Sequence, residues 1–483
     1  MNIARSSVKL VIATSGSAII TFLGIAYFAR LLSPNQLGIY FLFEALLAIL
    51  VIPADFGIRG AVEKRISEEI QPARTLTTGA VLKFVPLCVV VTGLFVFRNA
   101  INRYVEHDIA FLLAVAVVAN ELYQFSIRIL GGELRVGETA VLRLTERAVW
   151  AGGGIALVHV GMGVRGVIYA AISGYLIAFV WGMARKSVSF GRPSVDMVKS
   201  LFSYSKYNFA SALSGYAYSW VDILIIGFFL TNAHVGAYET AWRVTAVVIL
   251  GSRAIAASIF PQVSQWDATD AIDRIESLIP HAVTASLLIV IPGFFGTTFL
   301  SAEIMQFVFG PEYIIASAAL TLLMGEKIFQ AIHSVTGRSL KAIDKPALAA
   351  RAAVASTLLN LGLNILLVLE FGLIGAAVAT VTASLLNTAM CIRYLSRFLK
   401  IRFEWWNLGW IVVSSIAMTF VLLQLTIIWP VNSPTVLVST IAVSAGIYGV
   451  LLLLFAPLRR QVLQSVSRVI GWQKPASNIE GGN

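Results

Sequence analysis

Cysteine is nearly missing from this chain of 483 residues. Cys88 and Cys391 are its two, and each falls inside an apolar run. Two isolated thiols make neither a disulfide framework nor a zinc-ligand spacing, so a stapled secreted scaffold and cysteine redox chemistry are excluded. Charge is scarce as well. Charged residues make up 13% and hydrophobic ones 58%, against about 25% and about 45–50% in soluble domains. An ordinary water-soluble core does not account for that balance. No Asn-x-Ser/Thr sequon occurs. No polar stretch is long enough for an extramembrane catalytic domain, which argues against a membrane glycosyltransferase or polymerase. The first apolar run is too long for a signal-peptide core and lacks a small-residue cleavage site, so it reads as a retained helix.

What fills the chain instead is a series of apolar runs of about 20 residues, the length needed to cross roughly 30 Å of hydrocarbon. About fourteen satisfy that criterion, from 8–30 through 144–163, 204–230 and 235–260 to 434–456. The net charge of +11 could suggest nucleic acid, but its placement says otherwise, because the basic residues cluster in alternate connections. One set holds Arg59, Lys64, Arg65 and Arg74, then Arg128, Arg135, Arg143 and Arg147, then Arg185, Lys186, Arg192 and Lys199, and later Arg338, Lys341, Lys345 and Arg351. The other set holds Arg30, Arg98, Arg103 and Arg165. That asymmetry is the positive-inside pattern and predicts a multi-pass membrane protein with both termini cytoplasmic.

The chain also repeats itself. Leu230-Thr231-Asn232-Ala233-His234-Val235-Gly236-Ala237-Tyr238 matches Leu32-Ser33-Pro34-Asn35-Gln36-Leu37-Gly38-Ile39-Tyr40, 198 residues apart (236 − 38). Gly163 and Gly166 likewise match Gly372 and Gly375, 209 apart (372 − 163). The repeat divides the chain into a first six-helix unit at 1–185, a linker at 186–203 and a second six-helix unit at 204–400. Two further helices at 401–458 and a tail at 459–483 follow. An even number of helices per unit relates the copies by an axis along the membrane normal, and places a substrate site near mid-membrane where they meet.

Ionisable residues inside the runs are the candidate functional residues, since each is costly in hydrocarbon and faces a partner or a wet cavity. In the first unit these are Glu44, Asp55, Glu121, Arg128 and Lys83, the last close enough to an end to snorkel. In the second they are Asp222, Glu239, Arg243, Arg253 and Lys327. Glu121 suits either a buried pair or a cavity role. Asp55 and Arg253 are repeat equivalents of opposite charge (253 − 55 = 198), which predicts a gate that pairs them when the cytoplasmic side closes. Glu239-Arg243 and Glu326-Lys327 suit structural pairing as well as ligand contact. Asp267, Asp270 and Asp273 read as a solvated helix face rather than a metal trio.

The most specific stretch is Leu340-Lys341-Ala342-Ile343-Asp344-Lys345-Pro346, then a helix with Asn360 and Asn364, then Phe371-Gly372-Leu373-Ile374-Gly375-Ala376-Ala377. This succession resembles the polysaccharide transporter, or oligosaccharide flippase, branch of the multidrug/oligosaccharidyl-lipid/polysaccharide exporter superfamily. The resemblance runs from the first helix to the last. It implies an all-α integral membrane protein with two pseudo-symmetric six-helix bundles around a central cleft and two appended helices. It implies no enzyme and no cofactor. Its implied substrate is a polyprenyl-(di)phosphate-linked glycan moved between leaflets of the plasma membrane, with membrane lipid and glycosyltransferases or a polymerase as partners. Arg243, Arg253, Lys327 and Arg128 are the candidates for gripping the phosphate, with Glu239 and Glu44 beside Arg243. Asp55, Asp222 and Glu121 are the candidates for gating or coupling. The rival reading is a multidrug or cation antiporter of the same superfamily, in which acidic residues would dominate the cleft.

Overall fold

The computed structural model describes residues 3–69 and 71–460, without the side chains of 3–15, 206–208 and 210–219. The side chains of Arg5, Lys9, Thr14 and Ser15 and the tail beyond 460 thus lie outside what the structure describes. Helix is the only regular structure among the described residues, as a bilayer requires of a chain that must satisfy its backbone polar groups internally.

In chain order the helices are α1 (Ile3–Leu31), α2 (Pro34–Asp55), α3 (Ile58–Ser67), α4 (Pro72–Val96), α5 (Arg98–Val105), α6 (Ala110–Gly132), α7 (Val136–Leu157) and α8 (Gly163–Arg185). Then come α9 (Val195–Phe229), α10 (Asn232–Val248), α11 (Leu250–Ala268), α12 (Ile272–Ile304), α13 (Ser317–Ala342), α14 (Pro346–Leu395), α15 (Trp405–Ile428) and α16 (Pro434–Leu454). Nine helical stretches among the described residues are long and apolar enough to cross a membrane, or ten with the bent pair α10–α11. Solvent-facing Trp405 and Trp406 at one end of α15 and Trp429 just past the other mark the two levels at which amphipathic aromatics settle at a membrane surface.

Two of those stretches, Val136–Arg185 and Pro346–Leu395, are 50 residues long. At 1.5 Å per residue each would reach about 75 Å if straight, more than twice the hydrocarbon core. Both fold back at a glycine. Gly163 has φ 55° and ψ −140°, and Gly372 has φ 56° and ψ −131°, a left-handed conformation open to glycine and strained for other residues. The repeat-equivalent glycines therefore make the same reversal. The arms after it pack antiparallel: Gly174 lies against the Glu146 backbone and Gly153 against Ala170, while Asn360 reaches Thr380 at 3.4 Å.

The repeats meet where α2 crosses α10. A Cβ on Gly38 would fall 1.8 Å from the Asn232 carbonyl oxygen, and one on Gly236 would fall 2.1 Å from that of Pro34. Gly38 and Gly236 are repeat equivalents, as are Pro34 and Asn232, so this is one contact made twice about a local twofold axis. The same face carries further ties between the halves. Arg30 donates to the carbonyls of Phe307 and Val308, Asn232 Nδ2 donates to the Val105 carbonyl at 3.0 Å, and Tyr104 donates to the Leu224 carbonyl at 2.7 Å.

The opposite, basic face is strapped differently. Gly191 N donates to the Ala73 carbonyl at 3.1 Å and Ser194 N donates to Thr78 Oγ1 at 3.1 Å, so the start of the predicted linker is laid along α4. Its remainder, from Val195, is the first turns of α9. There Met197 and Leu201 pack with Val62, Ile66 and Leu76, and Phe56 stacks on Phe209 at 4.9 Å. Helices α15 and α16 lean on α12, enclosing with α10 and α13 an apolar cavity of about 410 Å³ whose walls include Val244, Val248, Met324, Leu422 and Tyr448.

Three expectations are corrected. The run 235–260 is not one helix, because α10 and α11 bend by 48° just before Gly251-Ser252, a pair of the kind that breaks helices. Nor does the helix stop where that run ends at 260, since α11 continues through Pro261 to Ala268. Arg143 and Arg147 are not in a connection: both sit on α7, seven and eleven residues from its start at Val136.

Candidate functional site

Arg243 lies eleven residues into α10 from Asn232, about 16 Å along the helix, too deep for easy snorkelling. Its Nη2 meets Glu239 Oε1 one turn back at 2.7 Å and Glu44 Oε2 on α2 at 3.3 Å. Glu44 also accepts from Tyr40 at 2.9 Å, and the guanidinium lies 5.8 Å from the centre of the Phe41 ring. Glu239 is buried, whereas the side chains of Arg243 and Glu44 keep 23% and 16% of their surface open. An ion cluster thus bridges the repeats beneath the Gly38–Gly236 crossing, with two acids on one base.

Beside it in the first half is a polar cavity of about 320 Å³. Helix α7 supplies Arg143, Glu146 and Arg147, α6 supplies Asn120, Tyr123 and Gln124, and Tyr175 of α8 and Ser17 and Thr21 of α1 complete the wall. Arg147 Nε pairs with Glu146 Oε2 at 3.3 Å and its guanidinium faces the Trp150 ring at 5.6 Å. Tyr123 and Tyr175 stack at 5.6 Å. Sequence reading missed this cavity because apolarity rises only at 144, which pushed Arg143 and Arg147 into the preceding connection. The available signal was spacing: 143, 146 and 147 are i, i+3 and i+4, one face of a helix.

A second ion cluster joins α2, α3, α4 and α6 toward the basic face. Lys83 Nζ meets Asp55 Oδ1 at 3.2 Å and also pairs with Glu121. Arg59 reaches Asp55 at 3.3 Å and Glu121 at 3.8 Å. Lys83 does not snorkel as expected: it is 6% exposed, held inward by two carboxylates. The C-terminal half has its own polar knot. Asp222 accepts from Thr380 at 2.5 Å, Asn364 at 2.8 Å and Tyr238 at 3.2 Å. Lys327 is buried, 2.6 Å from Glu326 and 3.6 Å from the centre of the Trp242 ring.

Of the nine residues expected from sequence to bind substrate or gate, the structure brings Glu44, Glu239 and Arg243 together. Asp55 and Glu121 form the second cluster, and Asp222 and Lys327 sit in separate buried groups. Arg128 pairs with Glu63 of α3 at 2.6 Å and is over one-third exposed, part of the basic-face surface rather than of the Arg243 cluster. Arg253 lies beyond the bend, exposed, and no ion pair joins it to Asp55 among the described residues. No group of three or more His, Cys, Asp and Glu side chains suited to a metal occurs among the described residues.

The chain matches the family model described as polysaccharide biosynthesis protein over residues 27–318. It is 47% identical to the probable low-salt glycan biosynthesis flippase Agl15 of Haloferax volcanii, across 97% of this chain and all of that protein. Among solved structures it is similar to the lipid II flippase MurJ in an inward closed conformation. The TM-score is 0.76 at 18% identity, covering 92% of this chain and 98% of that one. A multidrug resistance MATE family transporter in an inward-facing conformation follows at TM-score 0.56 and 16% identity, over 80% of this chain and 94% of that one. At those identities the two structures speak to the fold alone.

Proposed function

The chain belongs to the polysaccharide biosynthesis protein family, and from that premise we propose that it is a flippase carrying polyprenyl-phosphate-linked oligosaccharide from the cytoplasmic to the outer leaflet. The observation that carries the reading is the Arg243–Glu44–Glu239 cluster, a charged and partly open group held at mid-depth between repeats. The phosphate and sugars of such a lipid cannot cross hydrocarbon unaided, and a guanidinium fork is suited to a phosphate. At rest the two carboxylates hold that fork. An incoming phosphate displaces one of them, and the released carboxylate must take up a proton as it leaves the guanidinium if no bare charge is to stand in the membrane. The apolar cavity against α15 and α16 begins at Val244, next to Arg243, a fitting berth for the polyprenyl tail.

Fourteen spans, in two six-helix lobes related about the membrane normal plus α15 and α16, would rock about the α2–α10 crossing to expose the site alternately. The Pro34–Asn232 face is then outer and closed, the basic face cytoplasmic with both termini, and the membrane the plasma membrane. Glycosyltransferases would supply the substrate. Deletion of the gene tests the reading directly, and lipid-linked glycan is expected to accumulate facing the cytoplasm. Unchanged export after deletion would remove the function.

Two further results are expected. Single cysteines replacing the exposed Ser189 and Ser396, in a protein lacking Cys88 and Cys391, should be shielded from impermeant thiol reagents in intact cells, while one at exposed Asn432 reacts; the reverse pattern inverts the topology. Asn232, buried against Val105, is unsuitable as a reporter. Arg243→Lys keeps the charge and loses the planar fork. It should express with wild-type thermal stability and lose roughly tenfold in export, the scale of one charge-assisted hydrogen bond. Wild-type export, or aggregation, would leave Arg243 a packing residue.

A further inference from the structure

The polar cavity beside the Arg243 cluster has a chemistry of its own. Its charged walls are Arg143, Glu146 and Arg147. Arg147 is committed to Glu146, but no hydrogen bond or ion pair reaches Arg143 among the described residues, although it stands about 10 Å along α7 from its start. Arg143, exposed, is thus an unpaired cation on the cavity wall, open to a visiting anion. The second unmet group is of opposite character. Glu146 is 3% exposed, and its Oε1 is buried without a hydrogen-bond partner. An ionised carboxylate only accepts, so this oxygen calls for a donor hydroxyl.

The ligand that answers both needs carries an anionic group and hydroxyl donors a few ångströms apart. A phosphate group alone does not: it has no hydroxyl to spare when fully ionised, and in the flippase reading Arg243 already engages it. A neutral sugar satisfies Glu146 but leaves Arg143 unmet. We propose that this cavity is a sugar subsite selective for a carboxylate-bearing residue of the lipid-linked glycan. Arg143 takes the carboxylate, Glu146 Oε1 takes a ring hydroxyl, and Asn120 and Gln124 supply amides around the ring. The stacked Tyr123 and Tyr175 offer an amphipathic wall of the kind sugars pack against. The volume of about 320 Å³ lies at the low end of small-ligand pockets and suits one or two sugar units rather than a long glycan. The subsite rests on the flippase reading, in which Arg243 engages the phosphate and the cavity receives what is attached to it.

The test uses the full chain reconstituted in liposomes and two short-chain polyprenyl-phosphate lipids that differ at one carbon, a glucuronate and a glucoside. Wild-type protein should move the glucuronate roughly tenfold faster or more, the scale of one hydrogen bond to a charged group. In Arg143→Gln the ratio of the two rates should fall to near one. Arg143 has no partner to strand, so its removal leaves no buried charge unpaired; Arg143→Lys, charged but without the fork, should keep part of the preference. Equal wild-type rates, or a ratio that survives in Arg143→Gln, overturn the subsite while leaving the flippase standing. If neither lipid moves, both readings fall.

Discussion

Gly38→Ala and Gly236→Ala should each reduce glycan export by more than tenfold in protein that still reaches the membrane. Helix propensity alone argues for the opposite sign, since Ala in place of Gly in a helix interior favours the helix by about 1 kcal/mol. The decisive quantity is distance. The new methyl would sit 1.8 Å from the Asn232 oxygen at position 38 and 2.1 Å from the Pro34 oxygen at position 236. Both obstacles are backbone, which cannot rotate aside as a side chain can. Helices α2 and α10 must then separate where the halves now touch, and the ties from Arg30, Asn232 and Tyr104 at the same face are strained with them. At Gly93 and Gly152 an added methyl would meet nothing within 4 Å, so their alanine variants serve as controls with export near wild type. A cysteine at Gln36, half-buried near the crossing, should become more reactive to impermeant reagents in the two crossing variants. Normal export with unchanged reactivity would show that the crossing is not needed for the transport cycle.

That crossing shows what a sequence makes legible and what it hides. The repeat of Gly38 in Gly236 and of Gly163 in Gly372 was readable, because a reversal or a backbone contact that only glycine permits leaves the same letter in both copies. The apolar runs were equally plain, since the bilayer imposes their length. The partners of the buried charges were not. Lys83 lies near enough to a helix end to reach water, and only the convergence of α2, α3, α4 and α6 delivers Asp55, Glu121 and Arg59 to it. Arg253 is the repeat equivalent of Asp55, yet the bend at Ile249 sends it onto α11 while Asp55 is engaged within its own half. Arg143 and Arg147 were lost for a different reason. A hydropathy window averages them with the polar turn before α7, whereas burial is decided residue by residue on one helix face.

Lys83→Met should cost the protein about 3–5 kcal/mol, the range for breaking a buried ion pair by removing one partner. The group is balanced as built, with Asp55 and Glu121 against Lys83 and Arg59. Asp55 and Glu121 are 4% and 1% exposed, so the loss of the ammonium leaves two carboxylates out of reach of water. Arg59 can neutralise one of them, and its contact with Glu121 is already long at 3.8 Å. Methionine fills the space of the lysine stem against Phe125, over which Lys83 now lies at 5.3 Å, so lost packing contributes little. The charge account therefore predicts a specific rescue. Glu121→Gln added to Lys83→Met removes the unpaired acid and should restore most of the stability, while Arg59→Gln added to Lys83→Met should deepen the loss. Folded protein remaining after a heating series, measured by size-exclusion chromatography in detergent, reads all three. Equal losses for Lys83→Met with and without Glu121→Gln would assign the effect to packing at Phe125 and leave the ion cluster without a part in holding the first half together.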